Sequence, residues 1–232
     1  WAARNLSGLA DCYYASMRMS KALSAFRECL DIAHDEGLGR IEVANRYMTG
    51  LTRRYLNEIR EALEDATAAK QLAVEVGHHR SEMYSTNFTA EFLLDMGRTK
   101  EAIVASTRAL ELTHLTGNER FRAYAMNQLA RGLMVNGDQD EAMKTLNNAI
   151  GISRKVGMTF VGPRLLGTLS ICSKDNQIRR AALKEGSEIL ESGCHAHNQL
   201  WFLRDAIDSS LISDNQKSAL KYSDWLESIT EQ

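Results

Sequence analysis

Two tyrosine–asparagine pairs carry the most suggestive chemistry in this 232-residue sequence. Tyr84 stands three residues before Asn87, and Tyr124 three before Asn127, with the two pairs 40 residues apart. A carboxamide offers two N–H donors and a carbonyl acceptor, so it can hold an extended peptide backbone without reading its sequence. Tyrosine adds apolar area with a polar tip, a combination enriched at interfaces. The same side chains would equally serve to bridge neighbouring helices and fill gaps between them. Other reactive residue types do not assemble into a reaction. His78 and His79 are adjacent, and Cys194, His195 and His197 bring together three ligands where zinc takes about four. Carboxylates such as Glu64 and Asp65 sit side by side, as solvated helix-surface charge does. No G-x-x-x-x-G-K-[ST], H-E-x-x-H or G-x-S-x-G pattern occurs. The sequence therefore predicts no enzyme, no metal and no cofactor.

The elements that position these residues follow from a fixed interval. Ala22, Ala62, Ala102, Ala142 and Ala182 stand 40 residues apart, each followed by an aliphatic residue or Met. Gly37, Gly77, Gly117 and Gly157 keep the same period, 15 residues further on. Such an interval marks stacked repeats. Within Lys100–Gly117 the apolar residues Ala102, Ile103, Ala109, Leu110 and Leu112 recur at helical spacing. The glycine beyond can take the left-handed conformation that closes a helix. Twelve positions before each repeat alanine stands another small residue: Ala10, Gly50, Ala90, Ala130 and Ser170. Small residues at both sites let two helices approach closely.

Gly97 and Gly137 mark the turns between paired helices, and Asp138 followed by Glu141 has capping-box spacing. Pro163 falls where a helix should begin. One repeat domain is expected, with approximate repeats 1–37, 38–77, 78–117, 118–157, 158–194 and 195–232. Each hairpin would be stable only within the stack.

One proline and 7% aromatics suit helices, and a net charge of −2 provides no field for nucleic acid or an anionic membrane. Arg53 with Arg54, and Arg179 with Arg180, are expected on solvated faces. The four cysteines form no C-x-x-C, which argues for a reducing, cytoplasmic setting. Cys12 and Cys172 share a repeat position and are expected in the core. No apolar run reaches the roughly 18 residues of a membrane helix. The chain opens at Trp1 without Met and is expected to be a segment of a longer protein.

The small–x11–Ala spacing resembles the tetratricopeptide repeat, with Leu129 and Leu169 before the small residue and Ala69, Ala109 and Ala149 in the second helix. The resemblance covers essentially the whole chain, with the usual repeat of about 34 residues lengthened. Such long repeats are similar to the C-terminal helical arrays of bacterial ATP-binding activators of the LuxR or maltose-regulator type, and of adenylate cyclases fused to an ATPase module. The chain departs from the pattern in its second-helix aromatic, kept as Phe26 but replaced by Ala66, Ser106, Leu146 and Gly186.

What the resemblance implies is an all-α, right-handed α-solenoid of about six TPR-like helical hairpins, whose first helices line a concave face. Carried onto this sequence, that face would present Tyr47, Tyr84, Asn87, Tyr124 and Asn127. Glu91 and Arg131 would follow one turn on, then Arg54. The expected function is a scaffold binding a protein or peptide segment there, with other domains of its own parent chain among the candidate partners. The alternatives are a ligand-sensing or regulatory module of a larger signalling protein, and self-association through ends near Trp1 and Trp225. The basic clamp with which some family members hold a C-terminal carboxylate is not evident.

Overall fold

A computed structural model describes residues 1–230, which form twelve α-helices and no strand. Residues 231–232, the end of the expected sixth repeat, lie outside the described residues. The first six helices are α1 (Ala2–Ala15), α2 (Met19–Asp35), α3 (Gly39–Tyr55), α4 (Ile59–Glu75), α5 (His79–Asp95) and α6 (Thr99–Thr116). They are followed by α7 (Glu119–Asn136), α8 (Gln139–Val156), α9 (Gly162–Cys172), α10 (Asn176–Ser192), α11 (Ala196–Ile212) and α12 (Gln216–Thr230). The six expected hairpins are thus present. The chain falls into two compact units, Trp1–Gln128 and the part from Leu129 onward.

Short turns punctuate the helices, and backbone sterics choose their residues. Gly37, Gly77 and Gly117 separate successive hairpins with φ of 65°, 66° and 63°. Inside the hairpins the positive φ recurs every 40 residues, at Met17 (60°), Asn57 (64°), Gly97 (71°) and Gly137 (94°). Glycine meets that demand without strain, whereas methionine does not. The first two turns of this class therefore carry no glycine signal. Gly157 departs from expectation: with φ 111° and ψ 124° it leads into an extended connection, since α9 begins only at Gly162. Pro163 lies in the first turn of α9, where its missing N–H costs nothing. The capping box at Asp138 does not form. Its carboxylate instead accepts from Asn136 Nδ2 at 2.7 Å.

In the first unit, paired helices meet through small side chains. On α4 the buried face is Ala62, Ala66, Ala69 and Ala73, one stripe at helical spacing. Opposite it stands Gly50 of α3, where an added Cβ would lie 2.7 Å from the carbonyl oxygen of Ala62. The first hairpin uses the same device around Ala10 and Ala22, and there Phe26 fills the space beside them. Ala22, Ala62, Ala102 and Ala142 are fully buried, and Ala182 is 3% exposed.

The second unit moves its bulk to another helix. Gly186 of α10 has no side chain because the ring of Phe202, from α11, occupies that space. Phe202 joins Leu183, Leu190, Leu203 and Tyr222 in one apolar cluster, with Trp225 packed against it. The aromatic missing from α10 is therefore supplied by the following hairpin. Trp225 is thereby accounted for, while Trp1 stands 93% exposed.

Three expectations of burial change. Cys172 is buried, its thiol 3.1 Å from Met134 Sδ and pushed up to about 11 by burial. Cys12, at the equivalent repeat position, is exposed. The arginine pairs expected in solvent each send one member inward: Arg54 is 7% and Arg179 8% exposed.

Gly50→Ala is expected to destabilise the chain by about 1–3 kcal/mol through overpacking, although alanine outranks glycine in a helix by about 1 kcal/mol. Met17→Gly is expected to stabilise it by up to about 1 kcal/mol by relieving the left-handed backbone. Urea unfolding measures both, with Glu111→Gln as a surface control staying within about 0.5 kcal/mol.

Candidate partner-binding site

The first helices of the first unit bring five rings into contact. Tyr47 of α3 lies 5.1 Å from Tyr84 of α5, centroid to centroid, and Tyr84 lies 4.4 Å from Phe121 of α7. Phe88 bridges Tyr47 at 5.8 Å and Tyr124 at 6.0 Å, and Phe121 reaches Tyr124 at 5.6 Å. Edge-to-face and tilted pairs at these distances each add about 0.5–1.5 kcal/mol beyond area burial. Tyr47, Tyr84 and Phe121 are half-buried, so this ladder keeps a surface that can be approached. At one end the Arg80 guanidinium donates to the Tyr84 hydroxyl at 2.9 Å.

Behind the ladder lies a buried charge network. Arg54 of α3 contacts Glu91 at 3.1 Å and Asp95 at 2.5 Å, both on α5 and one turn apart. Glu91 is 2% exposed and also accepts from the Tyr124 hydroxyl. Tyr14 of α1 packs edge-on to Tyr55 of α3 at 6.0 Å. Burial raises the Tyr14 phenol well above its ordinary value, and Tyr55, Tyr124 and Glu91 add to the shift. Residues from α1, α3, α5 and α7 thus meet in one polar core. A buried ion pair is weak evidence for stability, but removing one partner strands the other charge.

The two asparagines sit deeper than the tyrosines. Asn87 and Asn127 are both fully buried. Asn87 Nδ2 donates to the Met83 carbonyl at 3.0 Å, within its own helix. Its Oδ1, and both polar atoms of Asn127, find no hydrogen-bond partner among the described residues. A buried polar atom left in that state costs about 1–3 kcal/mol.

Arg131 belongs to the second unit and to a separate cluster. Its Nε donates to Thr168 Oγ1 at 3.0 Å, and its Nη2 pairs with the fully buried Asp205. Asp205 also meets Arg204 at 3.2 Å, and Arg204 and Arg164 stack over Trp201 at 4.4 and 4.5 Å. His195 and His197 stack on one another at 5.6 Å, and the His195 ring packs on Phe160. His78 caps α5, its Nδ1 accepting from the Ser81 backbone N–H at 3.2 Å.

Sequence reasoning placed equivalent residues 40 apart, but neighbouring first helices touch at a different interval. Tyr47, Tyr84 and Phe121 are separated by 37, as are Arg54 and Glu91. Arg131 and Thr168 share that separation. The lateral contact therefore runs about one helical turn behind the repeat. Phe121 was missed for that reason, and the 37-residue series Tyr47, Tyr84, Phe121 was the signal that would have found it, whereas Phe88 stands outside that series.

No family model matches the sequence, and neither does any curated protein. Solved structures match its fold along nearly its full length. Aspartyl phosphate phosphatase F from Bacillus subtilis aligns with TM-score 0.82 at 14% identity, over 99% of this chain and 60% of that one. A Rap protein complexed with competence and sporulation factor aligns with TM-score 0.78 at 16% identity, over 99% and 63%. A signal-transduction ATPase from Pyrococcus horikoshii with a tetratricopeptide repeat sensor aligns with TM-score 0.64 at 17% identity, over 99% of this chain and 37% of that one. The fold is tetratricopeptide-like. This chain spans well under two thirds of the phosphatase and about a third of the ATPase.

Glu91→Ala is expected to cost at least about 1.5–3 kcal/mol, because it removes a buried charged partner of both Arg54 and Tyr124. Tyr124→Phe, which removes one hydrogen bond to a charged group, is expected to cost about 1.5–3 kcal/mol. Combined, the two should fall clearly short of additive in a double-mutant unfolding cycle.

Proposed function

We propose that the first unit binds a segment of a protein partner along the face made by α1, α3, α5 and α7. One observation carries this reading: an aromatic ladder from Tyr47 through Tyr84 to Phe121 stays half-exposed while a fixed ionic network stiffens it from behind. Rings that are rigid and partly solvated give contact area at low entropic cost. In this reading Tyr47 and Tyr84 take the partner's apolar side chains. Asn87 and Asn127, both fully buried, support this face from within and do not meet the partner directly. Arg54, Glu91 and Tyr124 position the rings. Arg131 serves the second unit's own cluster in the same manner. The Rap protein's complex with competence and sporulation factor supports partner capture by a fold of this kind.

A sensory role within a larger signalling protein would use the same face. The repeat sensor of the Pyrococcus horikoshii ATPase supports that variant.

A library of extended octapeptides, screened by fluorescence anisotropy against the full chain, tests the proposal. Peptides selected on the wild type are expected to lose at least tenfold in affinity on Tyr84→Ala, measured at a temperature where circular dichroism shows the variant still folded, since losing the ring contacts to Tyr47 and Phe121 lowers its thermal midpoint. Selected peptides that bind Tyr84→Ala and Tyr47→Ala as they bind the wild type would overturn it.

A further inference from the structure

The opposite side of α5 carries a second surface that the ladder does not use. Tyr84, Phe88 and Glu91 define one face of this helix. Thr86, Thr89 and Leu93 point away from it and form the floor of a groove walled by α4 and α6. The groove encloses about 740 Å³. By residue type the floor looks polar, but the hydrogen bonds change that reading. Thr86 Oγ1 donates to the Glu82 carbonyl at 2.7 Å, and Thr89 Oγ1 to the Ser85 carbonyl at 2.8 Å. On the α4 wall, Thr67 does the same to the Leu63 carbonyl at 2.7 Å. All three hydroxyl protons are committed within their own helices, so the threonines can offer the groove methyls and acceptor lone pairs but no donor. Val74 and Val104 add aliphatic walls that are 53% and 71% exposed.

The rim decides the occupant. Lys70, Arg98, Lys100 and Arg108 line it, against the two carboxylates of Glu82 and Glu101. Those carboxylates are already engaged, Glu101 with Arg98 at 2.6 Å and Glu82 with Arg108 at 3.0 Å. Lys70 and Lys100 have no carboxylate partner among the described residues. The apolar trough therefore has basic edges, although the chain as a whole carries −2.

The floor from Glu82 to Leu93 spans about 16 Å of helix, roughly three turns. Two roughly parallel helices over a third offer ridges into which another helix can pack.

We propose that this groove docks an acidic amphipathic helix of a partner protein, about three turns long. Its apolar stripe would lie on the threonine methyls, Leu93 and Val104, and its flanking Asp or Glu residues would pair with Lys70 and Lys100. This is the helix-in-groove mode of recognition, on a surface separate from the aromatic ladder.

The probes are three fluorescein-labelled 14-residue peptides, measured by anisotropy against the full chain. One has leucines at i, i+4, i+7 and i+11 flanked by glutamates, the second has lysines for glutamates, and the third is a scramble of the first. The acidic peptide is expected to bind at least tenfold more tightly than either other and to weaken as salt rises. Val104→Glu should reduce that binding at least tenfold, and Lys70→Glu with Lys100→Glu should reverse the charge preference. Circular dichroism checks that these exposed substitutions leave helicity intact. Tyr84→Ala should leave acidic-peptide binding unchanged, which separates this groove from the ladder. Equal affinity for all three peptides would overturn the proposal, as would binding indifferent to Val104→Glu. Self-association in light scattering that Val104→Glu abolishes would also overturn it, because the occupant would then be a second copy of the chain.

Discussion

The structure depends on how closely paired helices approach. At Gly50 an added Cβ would come within 2.7 Å of the backbone oxygen of Ala62, and the alanine stripe of α4 meets α3 with almost no side chain between them. Such contact replaces bulky interdigitation with backbone proximity, so a single methyl is felt. It also explains why alanine, and not leucine, marks the repeat. Larger residues are confined to the other faces of the helices, where hairpins meet their neighbours. Where a second helix lacks bulk of its own, as at Gly186, the next hairpin supplies it in Phe202.

Close pairing makes α5 an unusual helix. It is flanked on several sides and buries twelve of its residues, among them Glu82, Ser85, Thr86, Asn87, Thr89 and Glu91. Polar groups in such a place must be satisfied locally. The serine and threonine hydroxyls turn back to their own carbonyls, and Glu91 takes Arg54 from α3 and Tyr124 from α7. The consequence is a helix with two chemically different faces. One supports the aromatic ladder through fixed charges, and the other presents methyls bounded by lysines.

Electrostatics here is a matter of placement rather than total charge. A net charge of −2 predicts no particular affinity. Yet Arg54 is buried between two carboxylates, and Arg131 reaches a fully buried Asp205. Both arginines use the planar fork that suits bidentate contact. Each ties first helices together: Arg54 joins α3 to α5, and Arg131 joins α7 to α9 through Thr168 and to α11 through Asp205. In the first unit this network reaches the ring of Tyr124 through Glu91.

The sequence by itself determined the repeat, the helix pairs and the residues at their contacts. Those depend on local rules: helical periodicity, small side chains where backbones meet, and glycine where φ must be positive. It also singled out Tyr47, Tyr84 and Glu91, which repeat arithmetic alone can find. What tertiary structure decided was which of these remain accessible. Asn87, Asn127 and Tyr124 were expected on an open face, and they are buried instead. Phe121 was invisible because neighbouring helices slide by a turn, an offset that no single repeat encodes. The groove over Thr86 and Thr89 was hidden for a similar reason, since a threonine reads as polar until its hydroxyl is known to point back into its own helix.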